Sequence, residues 1–267
     1  MSIISLLSDF GHKDPYVAEM KAVILAINSQ VHIVDISHEI QKYNTRMGAY
    51  ILASAAPFFP INTIHVAVVD PGVGTKRSSI IIETNHSLYV GPDNGLLMLA
   101  ASKEDITNVY TIDNKEYLST KISTTFHGRD IFAPVAAYLA KGIKPSVFGS
   151  IITDYVFPDF TEIHAKMGEL LGEIIYIDGF GNIISNISAD SLEQYEITDV
   201  KSLFVTLRDI TLNIPFCSAY GEVPIGSPLT LINSNNFLEV AINQGSASNF
   251  FNANTGELFS ISIVATP

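Results

Sequence analysis

The chain has 267 residues, 47% of them hydrophobic and 16% charged, with 15 Lys and Arg against 27 Asp and Glu and a formal net charge of −12. That is ample apolar material for one large domain or two modest ones, and far too much for a disordered chain. The acidic balance argues against a general nucleic-acid binder, and the lone Cys217 excludes an internal disulfide framework or a cysteine-rich metal site.

The run Ser2–Leu7 is apolar but closes at Ser8-Asp9, with no basic region ahead of it. It lacks the pattern of a signal peptide and reads as a first strand covered on both faces. No apolar stretch approaches the roughly 20 residues that span a bilayer, so a cytoplasmic chain is expected. Asp14–Asn28 reads as a helix, with Asp14 as its cap, Pro15 in the first turn and Val17, Met20, Lys21 and Ile24 on one face.

Strands follow at Val31–Ile36, Thr63–Val69, Ile80–Glu83 and Asn108–Ile112. Helices are predicted from Asn44/Thr45 to Ala55, after Asn94-Gly95, and from Arg129 to Leu139. Pro134 belongs in the first turn of the last one, or at a kink. The alternation points to an α/β domain with a largely parallel central sheet over 1–157. A hinge is expected over 158–165, beginning in Phe157-Pro158-Asp159-Phe160.

Beyond it the helical pattern vanishes. Glu173–Ile177, Ile183–Ile187, Leu203–Leu207, Ile210–Ile214, Leu229–Ile232, Leu238–Ile242 and Leu258–Val264 read as short strands. They predict a smaller all-β, barrel-like domain over 166–267.

Ligands of open α/β sheets gather at the carboxyl ends of the strands, and four polar clusters stand there. Ser8-Asp9-Phe10-Gly11 reads as a turn, or as a strand-tip carboxylate that accepts from a ribose diol. Asp70-Pro71-Gly72-Val73-Gly74 precedes Arg77 and lacks the spacing of a P-loop or a dinucleotide-binding fingerprint. Val90-Gly91-Pro92-Asp93-Asn94-Gly95 reads as a strand, a turn and a helix start, with Asp93 or Asn94 as the cap. In Phe126-His127-Gly128-Arg129-Asp130, His127 can project into a cleft while Arg129 and Asp130 pair structurally.

Taken in order, these four clusters resemble the S-adenosyl-L-methionine hydroxide adenosyltransferases, relatives of the bacterial fluorinase and chlorinase. The resemblance continues with Asp178-Gly179-Phe180-Gly181-Asn182, Asn186, and Asn233-Ser234 ahead of Leu238-Glu239, and covers essentially the whole chain. It implies hydrolysis of S-adenosyl-L-methionine (SAM) to adenosine and L-methionine by attack of water on C5′ of the ribose. Asp70, Arg77 and His127 then hold and polarise that water. Asp9 takes the ribose hydroxyls, Asp178 the methionine ammonium, Ser234 its carboxylate and Asn182 the adenine edge, with Phe126 and Phe180 also in the substrate site and Tyr43 a candidate apolar wall. The resemblance further implies a homotrimer whose pocket lies between one subunit's α/β domain and a neighbour's β domain, with no cofactor, no metal and no membrane partner.

Two departures bear on this. The chain between Asp93 and His127 is compact, without the extra loop of halogenase relatives, and it keeps both Asp70 and His127, which favours water over halide. Asn235-Asn236 stands where relatives often carry a Gly and sometimes an Arg. Three alternatives stay open: a halide-using SAM adenosyltransferase, a metal-dependent nucleotide phosphatase built on Asp9, His12 and Asp14, and a non-catalytic SAM or adenosine sensor.

Overall fold

In the computed structural model, which describes residues 2–166, 168–198 and 200–263, the uncharged first strand lies inside a sheet. β1 (Ile3–Ser8) is followed by α1 (Tyr16–Ile27), β2 (His32–Ser37), α2 (Thr45–Ala55), β3 (Ile64–Val68), β4 (Ser79–Thr84), β5 (Leu88–Pro92), α3 (Met98–Ala101), β6 (Ile106–Thr111) and α4 (Ala133–Ala140). The six strands form one sheet in the order β2-β1-β3-β5-β4-β6. The β2-β1-β3-β5 run is parallel, while β4 pairs antiparallel with both β5 and β6.

Both faces of this sheet are covered, and β1 shows why its sequence lacks charge. Leu6 packs into a core with Met20 and Ile24 of α1 and Phe132 ahead of α4, whereas Leu7 enters a second core with Leu52 of α2 and Leu96. Successive side chains point to opposite faces, so a strand buried twice carries no charge, and its buried hydroxyls are paired, Ser5 Oγ with His65 Nδ1 at 2.6 Å and Ser8 Oγ with His38 Nδ1 at 2.7 Å.

Two helices begin differently from their sequence reading. Asp14 does not cap α1: Pro15 takes the cap position in helical geometry, its carbonyl accepting from Glu19 N–H at 2.9 Å, and no side chain caps the end. Asp14 remains exposed one residue outside. The predicted helix from Arg129 starts as a π-helical turn, Gly128–Phe132, and becomes α-helical only at Ala133. Proline has no N–H to donate to the carbonyl four residues back; Asp130 O accepts from Ser119 N–H at 3.0 Å instead. The helix after Asn94-Gly95 is short, Met98–Ala101, because Asn94 Oδ1 holds Leu96 N–H in a turn at 3.1 Å first.

The chain divides into two compact units, Met1–Pro158 and Asp159–Pro267. The second contains β7 (His164–Lys166), β8 (Glu169–Ile177), β9 (Ile183–Ser188), α5 (Ala189–Gln194), β10 (Ser202–Leu207), β11 (Ile210–Pro215), β12 (Pro228–Ile232), β13 (Phe237–Ile242), α6 (Ala247–Phe251) and β14 (Leu258–Ser262). Its order is β11-β10-β14-β8-β9-β13-β12, with β7 added to β8, and every named pair is antiparallel. The two edges approach one another where Phe216 bridges Thr230 and Cys217 N–H donates to Thr230 O at 2.8 Å. The result is a nearly closed, barrel-like sheet.

The helical pattern does not vanish here. α5 and α6 are capped by Ser188 and Ser246, whose hydroxyls accept from Ser191 and Asn249 N–H. Each is under two turns long, too short to register as a period in sequence. Val264, the end of the last predicted strand, lies outside the described residues. Among the described residues, no helix is long and apolar enough to cross a membrane.

Phe132 is fully buried where the π turn hands over to α4, so Phe132→Ala is expected to cost about 3–5 kcal/mol of stability. Urea unfolding of the variant against the parent checks this; a loss below 1 kcal/mol, on the order of a surface change, would contradict the packing described.

Candidate active site

The carboxyl ends of β1 and β3 carry the two carboxylates of the candidate site. Asp9 follows β1 directly, and Asp70 stands two residues beyond β3. Parallel neighbours end on the same side of a sheet, so residues 61 positions apart in sequence arrive at one rim. The loop after Asp70 then returns Arg77 to it. Gly74 has φ +75°, and a Cβ there would stand 2.2 Å from Thr124 O. Only a glycine lets this loop lie against the segment that leads to His127.

Arg77 is the centre of the cluster. Its Nε lies 3.0 Å from both Asp70 oxygens, and its Nη2 pairs with Asp70 Oδ2. The same Nη2 is 2.7 Å from His127 Nδ1, while Nη1 donates to Ser79 Oγ at 2.8 Å. The side chains of Arg77 and Asp70 are only 10% and 5% exposed. The guanidinium carbon also sits 5.4 Å from the Phe132 ring centroid, joining the cluster to the core.

A guanidinium only donates, so His127 Nδ1 is an acceptor and the ring is neutral with its proton on Nε2. Burial, assisted by the adjacent Arg77 charge, holds the His127 pKa below its ordinary 6.5; the opposing pull of Asp70 and Asp130 is weaker. His127 therefore presents a hydrogen-bond donor from the ring edge opposite Arg77.

Asp9, Asp70, Phe126 and His127 line a single cleft of about 250 Å³. Arg77 stands behind its wall and acts through Asp70 and His127. Asp9 is 6% exposed; its Oδ2 accepts from Tyr43 N–H at 2.9 Å, and its carbonyl accepts from Lys42 Nζ. Tyr43 has φ 65° and an exposed ring. A bulky residue in that region costs about 1–2 kcal/mol, a strain held at the mouth of the cleft. Phe126 packs edge-on against Phe10 and Tyr16 at 5.6 and 5.2 Å.

Other motif residues are structural. Arg129 pairs with Asp130 at 2.8 Å, as the sequence suggested, and also with Glu19 of α1. Asp93 accepts from Val156 N–H, and Asn94 Nδ2 donates to Val69 O. Among the described residues, no three His, Cys, Asp or Glu side chains are grouped to hold a metal.

The second unit brings Asp178, Phe180 and Asn182 to a cavity of about 860 Å³. Asp178 Oδ1 accepts from Phe180 and Asn182 N–H, each at 2.9 Å, and Oδ2 accepts from Asn182 Nδ2 at 3.0 Å. This closed turn leaves Phe180 82% exposed. Ser234 is exposed on the turn after β12 and does not line the cavity.

Sequence reasoning missed Lys42 in the first cleft and Tyr220 with the Asn243–Ser246 turn in the second. Lys42 lies beyond the carboxyl end of β2, where the strand-end rule could have found it. Tyr220, on a single 3-10 turn between β11 and β12, and the turn beyond β13 carry no comparable signal, since only the tertiary fold brings them beside Asp178.

The tautomer of His127 is measurable. Nitrogen-15 NMR is expected to show a neutral Nε2–H ring at pH 7 with a pKa below 6.5. Arg77→Gln should raise that pKa, because it removes a positive neighbour; an unchanged or lower value would refute the coupling.

Comparison with known proteins agrees with this architecture. Residues 4–149 match the SAM hydroxide adenosyltransferase N-terminal domain and residues 172–260 the corresponding C-terminal domain. The chain is 39% identical over 259 residues to the (R)-S-adenosyl-L-methionine hydrolase of Methanocaldococcus jannaschii, covering 94% of this chain and 92% of that protein. It is 26% identical over 283 residues to a fluorinase of Actinopolyspora mzabensis, covering 95% of each. A crystal structure of an uncharacterized conserved protein from Thermotoga maritima superposes with a TM-score of 0.89 at 34% identity, over 97% of this chain and 99% of that one. The chain belongs to the SAM hydroxide adenosyltransferase family.

Proposed function

We propose that this protein hydrolyses SAM to adenosine and L-methionine by in-line attack of water on C5′ of the ribose. The observation that carries the reading is the Asp70–Arg77–His127 cluster, with both of its outer members on the cleft that Asp9 also lines. The new bond is C5′–O and the broken one C5′–S. The bonding pair returns to sulfur, which leaves as the neutral thioether of methionine, so the departure needs no acid and no cofactor.

The difficulty lies with the nucleophile, and the cluster addresses it. Asp70 is the acceptor for the water's proton, held in orientation by Arg77. His127, a donor at Nε2, anchors the water oxygen against the cleft wall. Fixing the water opposite the sulfur removes much of the orientational part of the barrier. A buried carboxylate at this place repels a halide and favours water, which separates this chain's chemistry from that of the fluorinases it resembles. The relatives named hydrolases carry the (R) designation, and the same sulfonium epimer is proposed here.

The binding roles follow the same reading. Asp9 accepts from the ribose hydroxyls beside Phe126, and Asp178 receives the methionine ammonium near Phe180. Ser234 meets its carboxylate, and Asn182, with one N–H committed to Asp178, offers its Oδ1 to the adenine edge. Asp9 and Phe126 line the cavity of the first unit, and Asp178, Phe180 and Asn182 that of the second. That division supports a homotrimer in which a neighbour's second unit completes each site. The unpaired Cys217 suits a reducing, cytoplasmic setting.

Purified protein given the (R) and (S) sulfonium epimers should release adenosine and methionine, faster from (R). Asp70→Asn and His127→Ala should each lower kcat by about 100-fold or more with little change in KM. Saturable binding without adenosine would leave the sensor reading instead. Mixing subunits of the inactive Asp70→Asn and Asp178→Ala variants should restore part of the activity, because some shared sites would then carry both intact halves. No recovery on mixing would argue that each chain builds its site alone.

A further inference from the structure

A second carboxylate is buried beside the cavity of the second unit. Glu239, in the middle of β13, lies opposite Leu231 of β12 and Ile184 of β9 and is only 3% exposed. A carboxylate taken out of water needs a cation or a full set of donors. Glu239 receives two neutral donors: the Tyr220 hydroxyl at 2.7 Å on Oε1, and the side-chain amide of Asn233. No cationic side chain is paired with it among the described residues, and the like charge of Asp178 acts on it. Burial, with that like charge, pushes its carboxyl above the usual range.

The two donors connect different parts of the proposed substrate site. Tyr220 lines the cavity with Asp178. Asn233 begins the turn that carries Ser234, and its Oδ1 accepts from Asn235 and Phe237 N–H at 3.0 and 3.2 Å. The cavity lining includes no Lys, Arg or His. The Tyr220 and Asn233 donors favour the ionised form against that shift; when ionised, a carboxylate behind such a wall makes the cavity electronegative, and Asp178 adds to the same field.

We propose that Glu239 is a positioning residue that holds Tyr220 and the Asn233–Asn236 turn in place and, through its charge, makes this cavity select a cationic ligand over a neutral one of the same nucleoside class. The inference rests on the SAM reading for the identity of the cation, the ammonium of the methionine part. It assigns to Glu239 the discrimination between the charged substrate and uncharged adenosine.

The test compares wild type, Glu239→Gln and Glu239→Asp at pH 8, measuring kcat and KM for SAM and the dissociation constant for adenosine. Glutamine keeps the shape and the acceptor for Tyr220 but removes the charge. It should raise KM for SAM about fivefold to tenfold with a smaller effect on kcat, and leave adenosine binding unchanged. Aspartate, which restores the charge, should recover most of that loss. An unchanged KM in Glu239→Gln, an equal weakening for SAM and adenosine, or no recovery with aspartate would each overturn the proposal. Should wild type bind SAM without releasing adenosine, the hydrolase reading falls. The same comparison made with SAM dissociation constants would then decide the role of Glu239 by itself.

Discussion

One guanidinium organises the first unit's functional end. Arg77 grips the Asp70 carboxylate from one side, reaches His127 Nδ1 from the other and rests over Phe132. Each contact constrains the others. Because Arg77 can only donate, it dictates the histidine tautomer; because its charge is so little exposed, it requires the carboxylate beside it. Removing one partner from such a buried pair costs about 3–5 kcal/mol, far more than an exposed ion pair contributes. The arrangement therefore sets protonation states and side-chain directions together, before any substrate arrives.

The scaffold that makes this possible is the parallel core of the first sheet. β1 and β3 are buried on both faces and end side by side, which leaves their final polar residues as the first groups that meet the cleft. The π turn ahead of α4 has a related effect. By widening the helix before Pro134, it places His127 at the cleft while Phe132 stays in the core beneath Arg77. Local backbone irregularity and site geometry are coupled here, as is common for π turns at functional positions.

The second unit solves a different problem. Its antiparallel sheet presents loops in place of aligned strand ends, and the Asp178 turn is held by its own backbone N–H groups. Such a turn is rigid without help from a distant element, so the cavity is shaped in advance for its ligand. Glu239 stands under this region from a strand 61 residues away in the chain, joined through Tyr220. A polar residue buried on a central strand gives no sign of its direction in a one-dimensional reading.

Much of the protein was legible in its sequence, for reasons that can be stated residue by residue. The uncharged, largely apolar run before Ser8 read as a strand covered twice, and it is one. The ordered loops carried the family and, with it, Asp70, Arg77 and His127. The sequence also misjudged Asp14, the onset of the helix near Arg129, and the short helices α5 and α6. In each case a proline or a serine decided the matter within a single turn, below the length at which periodicity speaks. What only the tertiary structure decided is which groups meet. The direction of the Arg77–His127 contact, and hence the neutral donor form of His127, follows from 2.7 Å between residues fifty positions apart. So does the company that Glu239 keeps. Local pattern records how each segment buries its apolar face; pairing of distant polar groups depends on how the segments come together, and no local pattern encodes it.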